Sequence, residues 1–481
     1  MRVRFATLAI LASVGVPVGL AQGTPSWTPP DPATKELALS IYRQLININT
    51  TDSVGSVTAA AKAIQQRFLD AGFPASDIYV GGPNDRKENL VVRYHGSGAH
   101  PPILFIGHLD VVEARREDWT TDPFQFTEKD GYYYGRGTQD MKDGDAILVT
   151  TFLRLHKEGF KPDRDLILAL TADEEGGQSN GVDWLLRNHQ ELMKAAFAFN
   201  PDGGGVDLDH GKAITAGVDA SEKLYADYQL MVTNPGGHSS LPVPDNAIYH
   251  LADALQRLQN YQFPFELNAI TRAYFEKLAT LEPAATAVDI KAILAAPPDA
   301  AAIVRISAQP EWNSTLHTTC VATRLLAGHA NNALPQMAQA NVNCRILPGH
   351  SREEVRQDLI RIFDDAKITV KYVDDGGGIH SGAPESKGPP PVALQPEVMQ
   401  PLEKLVAEYW PGTPVVPDMA TGASDSIFTN AAGIPTYNWS AIQLETNDVR
   451  AHGKDERLPE ESFFKSVQFW HEYVRMLTGG E

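Results

Sequence analysis

Acidic and imidazole side chains stand directly behind short apolar runs in this chain, a placement suited to holding a cation. Ile103-Leu104-Phe105-Ile106 runs into Gly107-His108-Leu109-Asp110, Leu166 to Leu170 into Asp173-Glu174-Glu175, and Phe197-Ala198-Phe199 into Asn200-Pro201-Asp202. Asp140, in Gly135-Arg136-Gly137-Thr138-Gln139-Asp140, precedes a helical pattern. Each has an ordinary explanation when taken alone. A histidine at a strand end is usually a satisfied polar residue, an Asp-Glu-Glu run commonly begins a helix, and an aspartate before a helix caps it. Their combination changes the reading, because carboxylates converging on one sheet edge repel one another and a cation is the simplest way to keep them ionised.

The apolar runs predict strands buried on both faces of a parallel or mixed sheet. Helical patterns at Asp143 to His156 and Gly181 to Met193 alternate with them, which predicts an α/β/α sandwich. In such sheets ligands bind beyond the carboxyl ends of the strands, where all three polar clusters fall. The pattern changes after Ser221. A strand from Lys223 to Asn234, a helix beginning at Asp245, Ala-rich helical sequence over about 260 to 312, and strand-like stretches Leu316 to Thr323 and Ala340 to Leu347 follow, then a helix from Arg352 to Ala366 and a strand from Lys367 to Val373. These make an α+β layer, so an inserted domain, 223–375, divides a catalytic domain into 22–222 and 376–481. The segment at 260 to 312 either extends an interface or covers a sheet edge.

A net charge of −19 without any clustered Lys and Arg excludes nucleic acid as the partner. Hydrophobic residues at 43% and charged residues at 21% exclude a disordered or multi-span membrane chain. At the N-terminus Arg2 and Arg4 precede an apolar run from Phe5 to Val18, followed by Gly19-Leu20-Ala21. Residues 1–21 therefore read as a secretory signal cleaved before Gln22, the alternative being an uncleaved anchor helix, for which the run is shorter than the about 20 apolar residues of a membrane span. The mature protein is expected to be exported, periplasmic or extracellular, without stable membrane insertion. Two cysteines, Cys320 and Cys344, are too few for a disulfide scaffold; they either bridge neighbouring strands or stay buried as free thiols.

Further strings complete the pattern: Tyr134 to Lys142, Gly236-Gly237-His238-Ser239-Ser240, Asn332-Ala333-Leu334-Pro335, Cys344 to Gly349, Gly422-Ala423-Ser424-Asp425 and Ala451-His452-Gly453-Lys454-Asp455-Glu456. In this order, with the strand-end clusters, they resemble the dinuclear zinc exopeptidases and amidohydrolases of the glutamate carboxypeptidase, aminoacylase and dipeptidase group. Within it the likeness is greatest to vacuolar carboxypeptidase S and the secreted N-acyl-amino-acid hydrolases. The resemblance covers nearly the whole mature chain and implies a mixed-sheet α/β/α catalytic domain carrying an inserted α+β lid and dimerisation domain.

It further implies that His108, Asp140 and Asp202 hold one zinc and Asp140, Glu175 and His452 the other, with cobalt or manganese able to substitute. Glu174 matches the general base, Asp110 the group that orients His108, and Asp140-Met141 a cis peptide. In the lid, His238 matches a histidine that stabilises the oxyanion, often across a dimer; Arg345 would clamp the substrate carboxylate and Asn332, Gly422 and Ser424 would line the pocket. Asp202 replaces the glutamate of the glutamate-releasing enzymes, and Asp143 follows Lys142 where many relatives have glycine. The expected activity is hydrolysis of an amide bond in a small substrate with a free carboxylate, either a peptide or an N-acyl amino acid. The rivals are a catalytically inactive zinc-binding protein, disfavoured because every ligand position and the base are filled, and a dinuclear phosphatase, for which only Arg136, Lys142 and Arg345 are available as phosphate-binding cations.

Overall fold

A computed structural model describes residues 27–176 and 178–479; the signal assigned to residues 1–21 lies outside the described residues. Its centre is a mixed sheet of ten strands. Four of them, Leu166–Thr171, Ile103–His108, Phe197–Asn200 and Thr436–Asn438, lie side by side and parallel. The register pairs His108 with Thr171 and Asn200 with Asn438, so these strands end together at one edge.

Alternate residues of these strands enter different cores, which explains why the sequence shows continuous apolar runs. Ile103, Phe105, Leu166, Leu168, Phe197 and Phe199 pack on one face with Ile41 and Leu45 of the helix Pro32–Ile46, Ile147 and Phe152 of Lys142–Lys157, and Trp470 and Tyr473 of Glu460–Leu477. Leu104, Ile106, Ile167, Ala169 and Ala198 face Val182 and Leu185 of Gly181–Asn188 on the other. At about 1.5–3 kcal/mol for each fully buried aliphatic or aromatic side chain, the two cores hold these strands from both faces. This is the expected α/β/α architecture. The helix expected over Gly181 to Met193 is interrupted at His189, whose backbone (φ −143°, ψ 45°) leaves the helical region and separates Gly181–Asn188 from Gln190–Met193.

A second sheet is built within residues 224–380, in the order Thr319–Ala327, Met337–Ile346, Leu224–Thr233, Thr369–Val373, Ile379–His380, and it is antiparallel throughout. The helices Ala247–Asn260 and Arg352–Phe363 cover one face. Ser351 and Glu354 form a capping box at the start of the latter, satisfying two backbone N–H groups reciprocally. Between residues 269 and 316 run four short helices that pack elsewhere. Tyr274, Phe275, Ile290, Ile306 and Leu316 form a cluster with Val416 of the strand Val415–Ala420, which pairs on one side only, with Lys212–Glu222. Of the two roles open to this segment, it takes that of covering a sheet edge.

Cys320 and Cys344 sit directly opposite each other on adjacent strands and are joined as a disulfide. The bridge closes a loop with a sequence separation of 24, for which chain entropy gives about 3 kcal/mol of stabilisation. Reduction, or C320S together with C344S, is expected to lower the urea midpoint by the equivalent of that amount. An unchanged midpoint after verified reduction would show that the bridge adds nothing.

Candidate metal centre

The common edge of the four parallel strands delivers the side chains that the sequence places behind them. His108 is the last residue of its strand and is 1% exposed. Its Nδ1–H donates to the Asp110 carbonyl at 3.0 Å, which turns Nε2 outward from the strand. Nε2 lies 3.2 Å from Asp140 Oδ1, 3.8 Å from Asp202 Oδ2 and 4.0 Å from Glu174 Oε2, and it makes no hydrogen bond. The second oxygen of Asp140, Oδ2, lies 2.9 Å from His452 Nε2, which is also 3.0 Å from the Glu175 carboxylate. Asp140 thus stands between two imidazoles, one oxygen toward each.

Two sets of donors, His108–Glu174–Asp202 and His108–Asp140–Glu175, have ligand atoms within 4.8 Å of one another. A buried, unpartnered imidazole nitrogen facing several carboxylates fits a divalent cation of borderline softness, for which imidazole and carboxylate are suitable ligands. The protonation of the cluster follows from its crowding. Burial pushes Asp202 up to about 7, against the pull of His108. Burial likewise raises Glu174 well above the usual carboxylate range, with His108 opposing and Asp202, Asp425 and Glu175 adding repulsion. For His108 burial alone would depress the imidazole, but Asp140 and Asp202 lift it well above its ordinary value. Asp140 and Glu175 raise His452 to about 10.

The loops that carry these groups are shaped by local chemistry. Asp173 adopts a left-handed backbone (φ 58°), and Lys87 pairs with its carboxylate and with Asp52 at 2.9 Å, turning the chain so that Glu174 and Glu175 face the cluster. The Asp110 carboxylate accepts the N–H groups of Glu174 and Glu175 at 3.2 and 3.0 Å. It lies 3.8 Å from His108 Nδ1, so the main chain of Asp110, not its carboxylate, orients the ring. Gly137 (φ 90°) has no room for a Cβ, which would meet Lys142 and Val111 at 2.9 Å. The Asp140–Met141 peptide is cis.

The lid residues are placed differently. His238 is exposed, pairs in a two-residue strand with Ala333, and contacts Ser240 Oγ at 2.7 Å. Asn332 is exposed and its carbonyl accepts Ser239 N–H at 3.0 Å, which brings these two motifs together. The Arg345 guanidinium lies 4.8 Å from the centre of the Tyr225 ring. None of these contacts reaches the acidic cluster. Gly422 is exposed, whereas Ser424 is buried and donates from N and Oγ to Glu222 Oε2, both at 3.0 Å.

Several groups at the site carry no role in the sequence reading. Asp425, buried beside the cluster, accepts from Asn180 at 2.6 Å and Thr171 at 3.1 Å, and burial raises it to about 6. Glu222 is 5% exposed with Oε1 unpartnered. Arg136 and Glu456 form a buried pair at 2.5 Å. Asp425 and Glu456 end quoted motif strings, but the string alone does not say which backbone they bind. Lys142 donates to the Leu45 and Ile48 carbonyls at 3.0 and 2.9 Å, so neither it nor Arg136 is free to take a phosphate.

The comparisons with known proteins agree with this geometry. An N-fatty-acyl-amino acid synthase/hydrolase of Xenopus tropicalis is 29% identical over 389 residues, which is 78% of this chain and 72% of that protein. A probable carboxypeptidase S-like protein of Dictyostelium discoideum is 27% identical over 431 residues, 85% of this chain and 78% of that one. The crystal structure of a metallo-carboxypeptidase from Sulfolobus solfataricus superposes with a TM-score of 0.69 at 15% identity, covering 92% of this chain and 99% of that chain. The model of Peptidase family M20/M25/M40 matches residues 104–476, and the chain belongs to that family.

Proposed function

We propose that this chain is an exported dinuclear metallohydrolase that cleaves the amide bond of a dipeptide or peptide C-terminus bearing a free carboxylate. The observation that carries the reading is the convergence of His108, Asp140, Glu174, Glu175, Asp202 and His452 on one strand edge, with His108 Nε2 buried and unpartnered. His108, Asp140 and Asp202 hold one metal and Asp140, Glu175 and His452 the other, zinc by ligand type. When bound, such a pair supplies Lewis acidity, lowering the pKa of water and polarising the scissile carbonyl. Glu174 takes the proton from the attacking water on its carboxylate and delivers it to the leaving amine nitrogen. Arg345 binds both oxygens of the substrate carboxylate in the plane of its guanidinium. Asn332 bonds the substrate backbone, and the loop from Gly422 to Ser424 lines the same pocket, held by Glu222.

Residues 223–375 act as the lid. His238 supplies oxyanion stabilisation from a second copy of the chain; within its own chain its ring contacts Ser240 and its main chain pairs with Ala333. The edge strand Thr319–Ala327 exposes Val321, Leu325 and Leu326, an apolar surface that a homodimer would cover. Export accords with the Cys320–Cys344 disulfide, which persists in oxidising compartments. Among the described residues no helix is long and apolar enough to cross a membrane. A second substrate reading, N-acyl amino acids, is favoured by the similarity to the N-fatty-acyl-amino acid synthase/hydrolase. Both readings share the base and the carboxylate clamp and differ in what lies on the acyl side.

E174Q is expected to reduce kcat by about 10²–10⁴-fold, the range general-base catalysis contributes, while bound metal stays at the wild-type level. Full activity in that variant would sink the assignment. Assays of dipeptides, N-acyl amino acids and phosphate esters in parallel, with and without chelator, separate the substrate readings; chelator-resistant turnover would contradict all of them.

Metal uptake should also release protons. Asp140 and Glu175 raise His452 to about 10, so this imidazole carries a proton at pH 7 in the metal-free protein and must lose it to ligate. At least one proton per chain is expected at pH 7 by this linkage, with Asp202, held at about 7, adding to it, and apparent affinity should fall as the pH falls. Calorimetry in buffers of different ionisation enthalpy measures the number, and no net release would argue against ligation by His452.

A further inference from the structure

The bridging aspartate and the terminal histidine of the cluster sit on loops, not on strand ends. His452 is more than half exposed and has a left-handed backbone (φ 62°). These loops are held together by Gln139, which donates to the Arg457 carbonyl at 2.6 Å and accepts the Arg450 N–H at 2.7 Å, and by a buried ion pair joining residues more than 300 positions apart. Glu456 is fully buried. Its Oε1 accepts the N–H of Gln139 at 2.6 Å and of Asp140 at 3.3 Å, and its Oε2 accepts the N–H of Gly137 at 3.2 Å and Arg136 Nη1 at 2.5 Å. Arg136 is 2% exposed, and its other terminal nitrogen donates to the carbonyls of His452 at 3.2 Å and Gly453 at 3.0 Å. The Trp119 ring, 5.1 Å away, faces the guanidinium.

We propose that Arg136 and Glu456 are a positioning pair that sets the spacing between the Asp140 loop and the His452 loop, and with it the affinity of the metal position formed by Asp140, Glu175 and His452. The inference rests on the dinuclear reading above. The carboxylate gathers the N–H groups around Asp140, and the guanidinium, anchored on that carboxylate, reaches the main chain at His452. With one terminal nitrogen on the carboxylate and the other on two carbonyls, the rigid guanidinium plane fixes both distance and direction. His108 and Asp202 are delivered by parallel strand ends with packed cores on both faces and make no contact with this pair. Asp140 serves both positions, so disturbing the pair should weaken the position formed with Glu175 and His452 most and the one formed with His108 and Asp202 less.

The test uses the full chain, zinc alone as the probe, elemental analysis for stoichiometry, competition with a chromophoric chelator for affinity, and thermal melting as the control for folding. Wild type is expected to hold two equivalents. E456Q puts an amide N–H against the N–H donors that the carboxylate now receives, and R136M removes the reach to His452 and Gly453. Each should weaken one equivalent at least tenfold and the other, which Asp140 also ligates, by a smaller factor, and the double variant should be no weaker than the worse single one. If E456Q does not yield folded protein, R136K serves the same comparison, since one ammonium cannot serve the Glu456 carboxylate and both carbonyls as the planar fork does. A wild type that takes up fewer than two equivalents overturns the dinuclear reading and the pair's role with it. A wild type at two equivalents with folded variants that keep both at full affinity, or weaken both equally, overturns the positioning role alone.

Discussion

Ionised carboxylates 4 Å apart repel by about 4 kcal/mol per pair at an effective dielectric of about 20, and the edge of the central sheet gathers Asp140, Glu174, Glu175 and Asp202 within this order of distance. The fold meets that repulsion with two imidazoles, each shared between carboxylates, and with ties that stop the acidic loops from moving apart. The upward shifts of Asp202 and Glu174 and the high value of His452 are two sides of the same crowding: acids there resist losing protons and bases resist giving them up. A cluster so arranged is poised to exchange protons for a divalent cation.

Holding the groups in place is divided between two kinds of structure. His108, Glu174, Glu175 and Asp202 follow the ends of parallel strands whose side chains fill cores on both faces, so their positions are set by the register of the sheet. Asp140 and His452 lie on loops and depend on polar ties: Arg136 with Glu456, Gln139 with Arg457 and Arg450, and Lys142 with the end of the first helix. A buried ion pair contributes little net stability once desolvation is counted. Its value here is geometric, since the guanidinium and carboxylate each satisfy backbone groups on loops that would otherwise meet only solvent. Lys87 does similar service for the turn at Asp173.

Much of this was legible beforehand because a strand buried on both faces writes a continuous apolar run, and whatever follows the run sits at the sheet edge. His108, Glu174 and Asp202 could be found by that rule alone. Other features left weaker traces. Leu185 and Met193 keep the buried face across the break at His189, so periodicity reads through an interruption that only the backbone angles reveal. The four helices between 269 and 316 show apolar faces but not their target, and they cover the edge strand Val415–Ala420 instead of joining the second sheet. Arg136 and Lys142, which read as free cations near a glycine-rich turn, are both committed to internal partners. Asp110, two residues after a histidine, turns its carboxylate to the N–H groups of Glu174 and Glu175 instead.

The sequence by itself determined the fold class, the family and the side chains able to bind metal, because these depend on residue type and on order along the chain. It left open the partner of each polar group. Whether Cys320 meets Cys344, which backbone Glu456 gathers, that Asp425 and Glu222 brace the site, and that His238, Asn332 and Arg345 stand apart from the cluster within one chain were decided by tertiary structure. A hydrogen bond or ion pair forms between groups that folding brings within about 3 Å, and when those groups lie hundreds of residues apart no local pattern records the meeting.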